Sequence, residues 1–380
     1  MAQEATSLTE SITAGTASLS LRYRLEGVDQ DGFTDNALAS TLRTRLGFQS
    51  STFNGFDFLL ELDDLSYLGD DDFNNTRNNK ASYPVVADPD GTDINQLFAR
   101  FSGEKVTATF GRQRINHDGQ RFIGGVGWRQ NEQTYDALSL SHQRGLLAAT
   151  YTYINRVARI FGPDDGSPAA TLDSDSHALN LAYQIPDMGI LSGYGYFLDF
   201  DNAASASTRT VGLRYSNTFK PGDLAMPVTL EFAHQQDFGS NPANYSVNYH
   251  LVEIGLKFEP FTIMIGNELL QGSVTAAFIT PLATLHKYQG WADQFLNTPT
   301  NGINDTYLTV TNSFVGIGTT LTYHKFKSDV GSMDYGDEID LSFAYKLNEN
   351  LDVLLKFARY NADSFSSDTT KAWLMLTAAF

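Results

Sequence analysis

From Ala17 to the last residue, apolar and polar side chains alternate with a period of two, the signature of a strand with one wet and one dry face. In LSLRYRLEG, Leu19, Leu21, Tyr23 and Leu25 share one face, and Ser20, Arg22, Arg24 and Glu26 share the other. The next run sets Leu42, Thr44, Leu46 and Phe48 against Thr41, Arg43, Arg45 and Gly47, and a third sets Phe56, Phe58, Leu60 and Leu62 against Asp57, Leu59, Glu61 and Asp63. The same count gives strands near 94–102, 105–113, 134–142, 145–154, 175–184, 189–199, 206–216, 226–236, 247–258 and 261–270. The last five fall near 304–311, 315–325, 336–346, 350–360 and 369–380. The total is roughly 18, an even number, and runs of roughly 9 to 12 residues match a tilted strand that crosses a bilayer.

The connections between these runs alternate in length. Short turns such as Ser50 to Phe53, Gly103-Glu104, Glu259-Pro260 and Asn348 to Asn350 follow the even strands. Long polar loops, Val28 to Asn36, Ser66 to Asp93, Arg114 to Gln133, Arg156 to Ser174 and Gln271 to Ile303, follow the odd ones. Asn217 to Pro227 is the one long connection expected on the short-turn side. The pattern predicts an all-β fold: a transmembrane, antiparallel, up-and-down β-barrel with short periplasmic turns and long extracellular loops in a Gram-negative outer membrane. One domain is expected over 1–380, with 1–15 as a periplasmic N-terminal segment and 16–380 as the barrel. In KAWLMLTAAF, Ala372, Leu374, Leu376, Ala378 and Phe380 form one apolar face, an ending that resembles the recognition signal of the barrel-assembly machinery.

Composition changes little in this picture. No run reaches the roughly 18 to 20 apolar residues of a membrane helix, and a mean hydropathy of −0.25 is what alternation between lipid and a polar lumen averages to. Aromatics at 12% and 31 glycines favour strands and turns. The chain has no cysteine, which fits an oxidising compartment. Its start, Met1-Ala2-Gln3-Glu4, fits a processed chain with an added initiator methionine. The net charge of −18 argues against nucleic-acid binding.

Charge placement is more informative. Of 16 arginines, 13 precede residue 160. Arg22, Arg24, Arg43, Arg45, Arg100 and Arg214 fall on predicted inward faces, because a charge facing lipid at mid-depth would cost roughly 2 to 4 kcal/mol. Arg112 lies near a strand end, and Arg114, Arg121 and Arg129 follow in a long loop. Guanidinium forks hold carboxylates by paired hydrogen bonds and stay charged at any biological pH, which suits an acidic solute sliding past many weak sites. A second role is open to each arginine: a structural ladder with Asp57, Glu61, Asp63, Glu253 and Glu268 that satisfies the interior.

The acidic loops GDDDFNN (69–75) and DPDGTD (88–93) lack the distal glutamate of a calcium-binding EF loop and read as solvated, so no metal site is assigned. The seven histidines show no metalloprotease spacing, and there is no nucleophile elbow, so neither an enzyme nor a cofactor is expected.

GRQRINHDGQRFIGGVGWRQNEQTYDA at 111–137 and LATLHKYQGWADQFLNTPTNGINDTYL at 282–308, with the strand count, resemble the alginate export family of outer-membrane barrels. The resemblance implies a monomer embedded in lipid and lipopolysaccharide, with an arginine-lined, anion-selective constriction that passes a polyuronate or its oligomers. Arg112, Arg114, Arg121 and Arg129 would surround that constriction. Gln289, Trp291, Asp293 and Asn301 would belong to an inward-folded plugging loop, where Trp291 and Phe295 could stack on sugar faces. Two other functions stay open: a general or anion-selective porin without saccharide preference, and a non-channel barrel that holds a partner protein.

Overall fold

The computed structural model describes residues 4–222, 224–273 and 275–380, so the first three residues of the expected processed start lie outside it. Eighteen strands form: β1 (Thr16–Gln30), β2 (Ala37–Gln49), β3 (Phe56–Asp72), β4 (Gly91–Ser102), β5 (Val106–Gln113), β6 (Thr134–Arg144), β7 (Leu147–Ala158), β8 (Thr171–Ile185) and β9 (Gly189–Leu198). The second half comprises β10 (Thr208–Phe219), β11 (Met226–Asp237), β12 (Ser246–Phe258), β13 (Phe261–Leu270), β14 (Ile303–Phe314), β15 (Ile317–Lys327), β16 (Asp334–Lys346), β17 (Leu351–Ala362) and β18 (Thr369–Ala379). Each pairs antiparallel with its neighbours in sequence, and β1 pairs with β18 from Ser20↔Ala379 to Gln30↔Thr369. The sheet therefore closes and leaves no edge for lipid to strip of hydrogen bonds.

Alternation maps directly onto the wall. Leu46, Phe110, Leu213 and Ile265 are more than half exposed and point outward, whereas Arg22, Arg24, Arg43 and Asp63 are buried on the inner face. Outward aromatics crowd the short-turn end, among them Phe56 against Phe101 with ring centroids 4.9 Å apart, and Phe258 against Phe261 at 6.0 Å, a girdle at the membrane interface. The inner wall at that end carries paired hydroxyls, Ser139 with Thr152, Ser141 with Thr150 and Thr309 with Thr322, so the lumen begins polar.

Several details depart from the sequence reading, among them the start of β8 at Thr171 instead of 175. β3 continues to Asp72 and β4 starts at Gly91, because the polar run after Ser66 still pairs with β2 through Leu38↔Asp72. The long periplasmic connection at Asn217 to Pro227 shrinks to 220–225, since β10 and β11 pair as far as Phe219↔Met226. The N-terminal segment contains a short helix, α1 (Leu8–Thr13). Its cap was readable: Ser7 accepts from the Glu10 N–H at 3.1 Å, and Glu10 reaches back to the Thr6 N–H at 2.7 Å, close to a capping box. The helix is tied to the β2–β3 turn by Ser51 N–H to Ser11 O at 2.9 Å.

The apolar core lies inside the barrel, toward the long-loop end. Phe122 and Ile123 of the β5–β6 loop (114–133) and Phe278, Leu282 and Phe295 of the β13–β14 loop (271–302) pack on inward Tyr194, Tyr196, Tyr249, Tyr335 and Tyr360.

Candidate functional site in the lumen

Two long loops fold inward and join. Ile123 and Leu282 form a parallel bridge, Gly124 N–H donates to Leu282 O at 2.9 Å, and Thr284 N–H donates to Gln120 O at 3.0 Å. Tyr135 and Gln133 side chains both donate to Gly124 O, at 2.8 and 2.9 Å, so the crossing satisfies its own buried carbonyl. The β3–β4 loop (73–90) closes from a third side through Asp88.

The arginines of β1 clamp this plug. Arg22 donates to Gln130 Oε1 and Gly127 O, both at 2.9 Å, and to Arg129 O; it has no carboxylate within ion-pair distance among the described residues. Arg24 donates to Trp128 O, lies 4.3 Å over the Trp128 ring and meets Asp88 at 3.4 Å. Asp88 was expected in a solvated acidic loop; it is instead fully buried, because two guanidinium groups and the Gln130 N–H converge on it.

On β2 and β3 the ladder is of mixed sign. Arg45 holds Asp63 by two bonds of 2.6 Å and Glu132 at 3.1 Å, and Arg43 stands 3.8 Å from Glu132. Arg114 joins from the loop, with Nε to Glu132 at 2.8 Å and Nη2 3.4 Å from Glu61. Burial alone would raise the Glu132 carboxyl, but Arg45 and Arg114 outweigh it and hold the group at about 2. Nearer the short turns, Arg100 pairs with Asp57 at 3.0 Å.

Across the lumen, Arg121 is buried against Glu268 at 2.6 Å, and Glu268 also accepts from Tyr249 at 2.9 Å and Gln289 at 3.0 Å. Arg214 pairs with Glu231, and Glu253 accepts from Tyr307 at 2.7 Å. Of the four arginines that the family resemblance assigned to a constriction, Arg114, Arg121 and Arg129 point into the lumen and are ion-paired there. Arg112 does not: it shares the outer face with Phe110, which is 71% exposed, its register partners are Leu97 and Asp136, and it pairs with Asp136 at 2.8 Å near the long-loop rim. Asn301 is also displaced from the plug, since its carbonyl accepts the Asp329 and Val330 N–H groups at the foot of β14.

Sequence reasoning missed the anchor of the β13–β14 loop. Lys356 on β17 donates to His286 Nε2 at 2.6 Å and lies over the chain's three tryptophans, 3.6 Å from the Trp291 centroid, 4.1 Å from Trp128 and 5.5 Å from Trp373. His286 stacks on Trp128 at 4.4 Å. Glu338 and Asp340 of β16 accept the Ala292 and Trp291 N–H groups at 2.7 and 3.2 Å. Gly290, at φ +83°, passes so close to the Glu338 carboxylate that a Cβ would collide with it. Inward parity on β17 and β18 would have identified Lys356 and Lys371; the role of Glu132 depends on loop folding, which leaves no periodicity.

Toward the long-loop end a vestibule of about 790 Å³ opens above the joined loops. It is lined by Arg129, Arg159, His286, Asp293 and Lys371, by neutral Asn, Gln and Thr side chains, and by an apolar wall that includes Phe33, Phe161 and Leu296. Arg159 donates to Ala169 O and lies 4.6 Å over Phe161, with no carboxylate partner among the described residues.

Comparison with known proteins fits this architecture. A family model described as Alginate export matches residues 17–161, bearing out the resemblance over β1 to β7; the second motif block lies beyond the match. No curated protein matches the chain. Among solved structures, the chain is similar to Pseudomonas aeruginosa OpdK solved with vanillate, at 14% identity over 96% of this chain and 98% of that one, with a TM-score of 0.74. Pseudomonas aeruginosa OccK9 (OpdG) gives 14% identity over 97% and 99% with a TM-score of 0.76, and Acinetobacter baumannii OccAB4 gives 14% over 96% and 98% with 0.74. The chain is a porin-like, 18-stranded outer-membrane β-barrel.

Proposed function

We propose that this barrel is a channel, not an enzyme, for small acidic saccharides such as oligouronates. The observation that carries the reading is the vestibule: about 790 Å³, within the usual range of about 300–1,000 Å³ for a small-molecule site, where Arg129, Arg159 and Lys371 stand among uncharged hydrogen-bonding groups beside an apolar wall that includes Phe33, Phe161 and Leu296. A carboxylated sugar needs both the cations and the hydrogen-bonding groups. The similar barrel OpdK was solved with vanillate, a carboxylate though not a saccharide, which accords with an acidic solute. Below the vestibule the lumen is crossed by ion-paired loops, so a solute passes by exchanging with existing pairs, which keeps each site weak enough to leave. An intact polymer is a poorer fit to that crossing than short oligomers.

A general porin without saccharide preference is the second reading, favoured by the carboxylate partners of Arg45, Arg100, Arg114, Arg121 and Arg214, which leave a transverse field rather than free forks. Planar-bilayer recordings separate the two. Half-blocking of the ion current by trimeric mannuronate, with no block by neutral maltotriose, is expected; equal behaviour of the two sugars would leave the general porin. Absence of any ion conductance would favour a non-channel barrel that clasps a partner.

A further inference from the structure

Asp293 of the β13–β14 loop is held as a bound anion would be. Its Oδ2 accepts from Arg129 Nη2 at 3.2 Å and from Lys371 Nζ at 2.8 Å, and its Oδ1 accepts from His286 Nδ1 at 2.7 Å. The donors come from the β5–β6 loop, from β18 and from the β13–β14 loop itself, so tertiary structure, not local sequence, builds the cradle. The Asp293 backbone lies at φ +61°, a region that residues other than glycine seldom occupy. Burial alone would raise its carboxyl, yet His286, Lys371 and Arg129 hold it well below the usual carboxylate range. All four residues line the vestibule, so the cradle is at the floor of the space a solute enters.

We propose that Arg129, Lys371 and His286 form the carboxylate-recognition site of the channel, with Asp293 as a tethered surrogate that a solute carboxylate displaces. This rests on the reading of the vestibule as an entrance for acidic saccharides, and it assigns that reading a specific site. A single planar carboxylate matches the cradle: one oxygen for the His286 N–H, the other shared by the two cations. Lys371 has Asp293 as its one ion-pair partner among the described residues, so its ammonium is the group most readily transferred to a solute. Arg129 keeps Glu26 at 3.2 Å and Asp88 at 3.8 Å, and therefore stays anchored during the exchange.

Displacement also has a mechanical consequence. Asp293 ends the segment that docks on β16 through the Trp291 and Ala292 N–H groups and covers Lys356 with the Trp291 ring. Exchange at Asp293 removes this loop's ionic ties to β18 and to Arg129 together, leaving the His286 contact with Trp373 as its packing on β18, so arrival of the correct solute loosens the barrier below it. A neutral sugar offers no anion and leaves the loop seated.

The test is current block of the purified full-length barrel in planar bilayers by trimeric mannuronate, with maltotriose as the neutral control. Removing the internal competitor in Asp293→Asn should lower the half-blocking mannuronate concentration about tenfold, and Lys371→Gln should raise it about tenfold, the scale of one charge-assisted hydrogen bond. Maltotriose should remain without effect in both. If the wild-type barrel is blocked by mannuronate and Asp293→Asn is blocked no more readily, the surrogate role is overturned and Asp293 is a structural pin. Block in Asp293→Asn alone supports it. If wild type and Asp293→Asn both conduct ions and neither is blocked, it is the acidic-saccharide reading itself that falls. Should Asp293→Asn fail to assemble, as judged by loss of heat-modifiable gel mobility, Lys371→Gln decides: an unchanged half-blocking concentration overturns the site.

Discussion

Arg45 and Asp63 are register partners across the β2–β3 ladder, and the guanidinium meets both carboxylate oxygens at 2.6 Å. Each also belongs to a larger set, since Arg45 reaches Glu132 and lies 3.6 Å from Glu61. This arginine neutralises a wall strand and an inward loop at once.

Replacing it should therefore be costly. Arg45→Gln leaves Asp63 and Glu132 buried with less compensation, and a loss of about 3–5 kcal/mol is expected, read as a lower urea midpoint of the barrel in detergent. The reversal potential in a salt gradient should move toward cation selectivity. An unchanged reversal potential would mean that these pairs do not shape the field in the lumen.

Glu132 adds a pH dependence. Its carboxyl is depressed from an ordinary 4.5 to about 2 in the folded barrel. The stability it contributes is present in full above the ordinary value and is lost as pH falls toward 2, a change of about 3 kcal/mol. Unfolding midpoints measured from pH 6 down to about 2 should show this loss in wild type and a shallower one in Glu132→Gln.

His286 acts in the opposite chemical sense. Its Nδ1–H donates to Asp293 and its Nε2 accepts from Lys356, an arrangement that requires the neutral ring. Burial pushes the imidazole well below its ordinary 6.5, with Asp293 opposing and Lys356 reinforcing the shift. Docking of the β13–β14 loop is thus favoured above 6.5 and weakens as pH falls below it, when a proton would set two cations together. The surrounding charges are Arg24 and Glu26 of β1, Arg129 of the β5–β6 loop, Glu338 and Asp340 of β16, and Lys371 of β18. Open-channel events should rise between pH 7 and 5, and His286→Gln should abolish that rise.

Trp291→Ala removes the ring nearest the Lys356 ammonium, and with it about 2–4 kcal/mol of packing and cation–π attraction. Faster proteolysis within 271–302 and larger or longer open steps are expected while the barrel itself stays folded. Unaltered gating would show that the loop is held elsewhere.

The lipid-facing wall can be tested at Ile265, which is exposed at the middle of β13 beside Ile254 and Leu308. Ile265→Arg should cost about 2–4 kcal/mol and slow insertion into vesicles. An arginine tolerated there without loss would contradict the outward assignment.

Strand number, closure and the inward placement of Arg22, Arg24, Arg43, Arg45, Arg100 and Arg214 were legible because lipid and lumen impose opposite demands on successive residues. Phe110 carried the same information about Arg112, two residues along on the same face, and the motif block obscured it. The pairings of Arg121, Arg129 and Glu132 were not legible: these residues lie in loops without period, and their partners Glu268, Glu26, Asp293 and Arg45 are remote in sequence. Gln289 and Trp291 make their contacts with β13, β16 and β17 inside the barrel, and those partners were not foreseen.

The bridge between Ile123 and Leu282 joins two loops by backbone groups, with both side chains fully buried. For exchange of loops between related barrels, the β5–β6 and β13–β14 segments therefore behave as one cassette. A chimaera that receives one without the other inherits half of a crossing and an apolar surface with no counterpart, whereas transplanting both carries the whole constriction into a new wall.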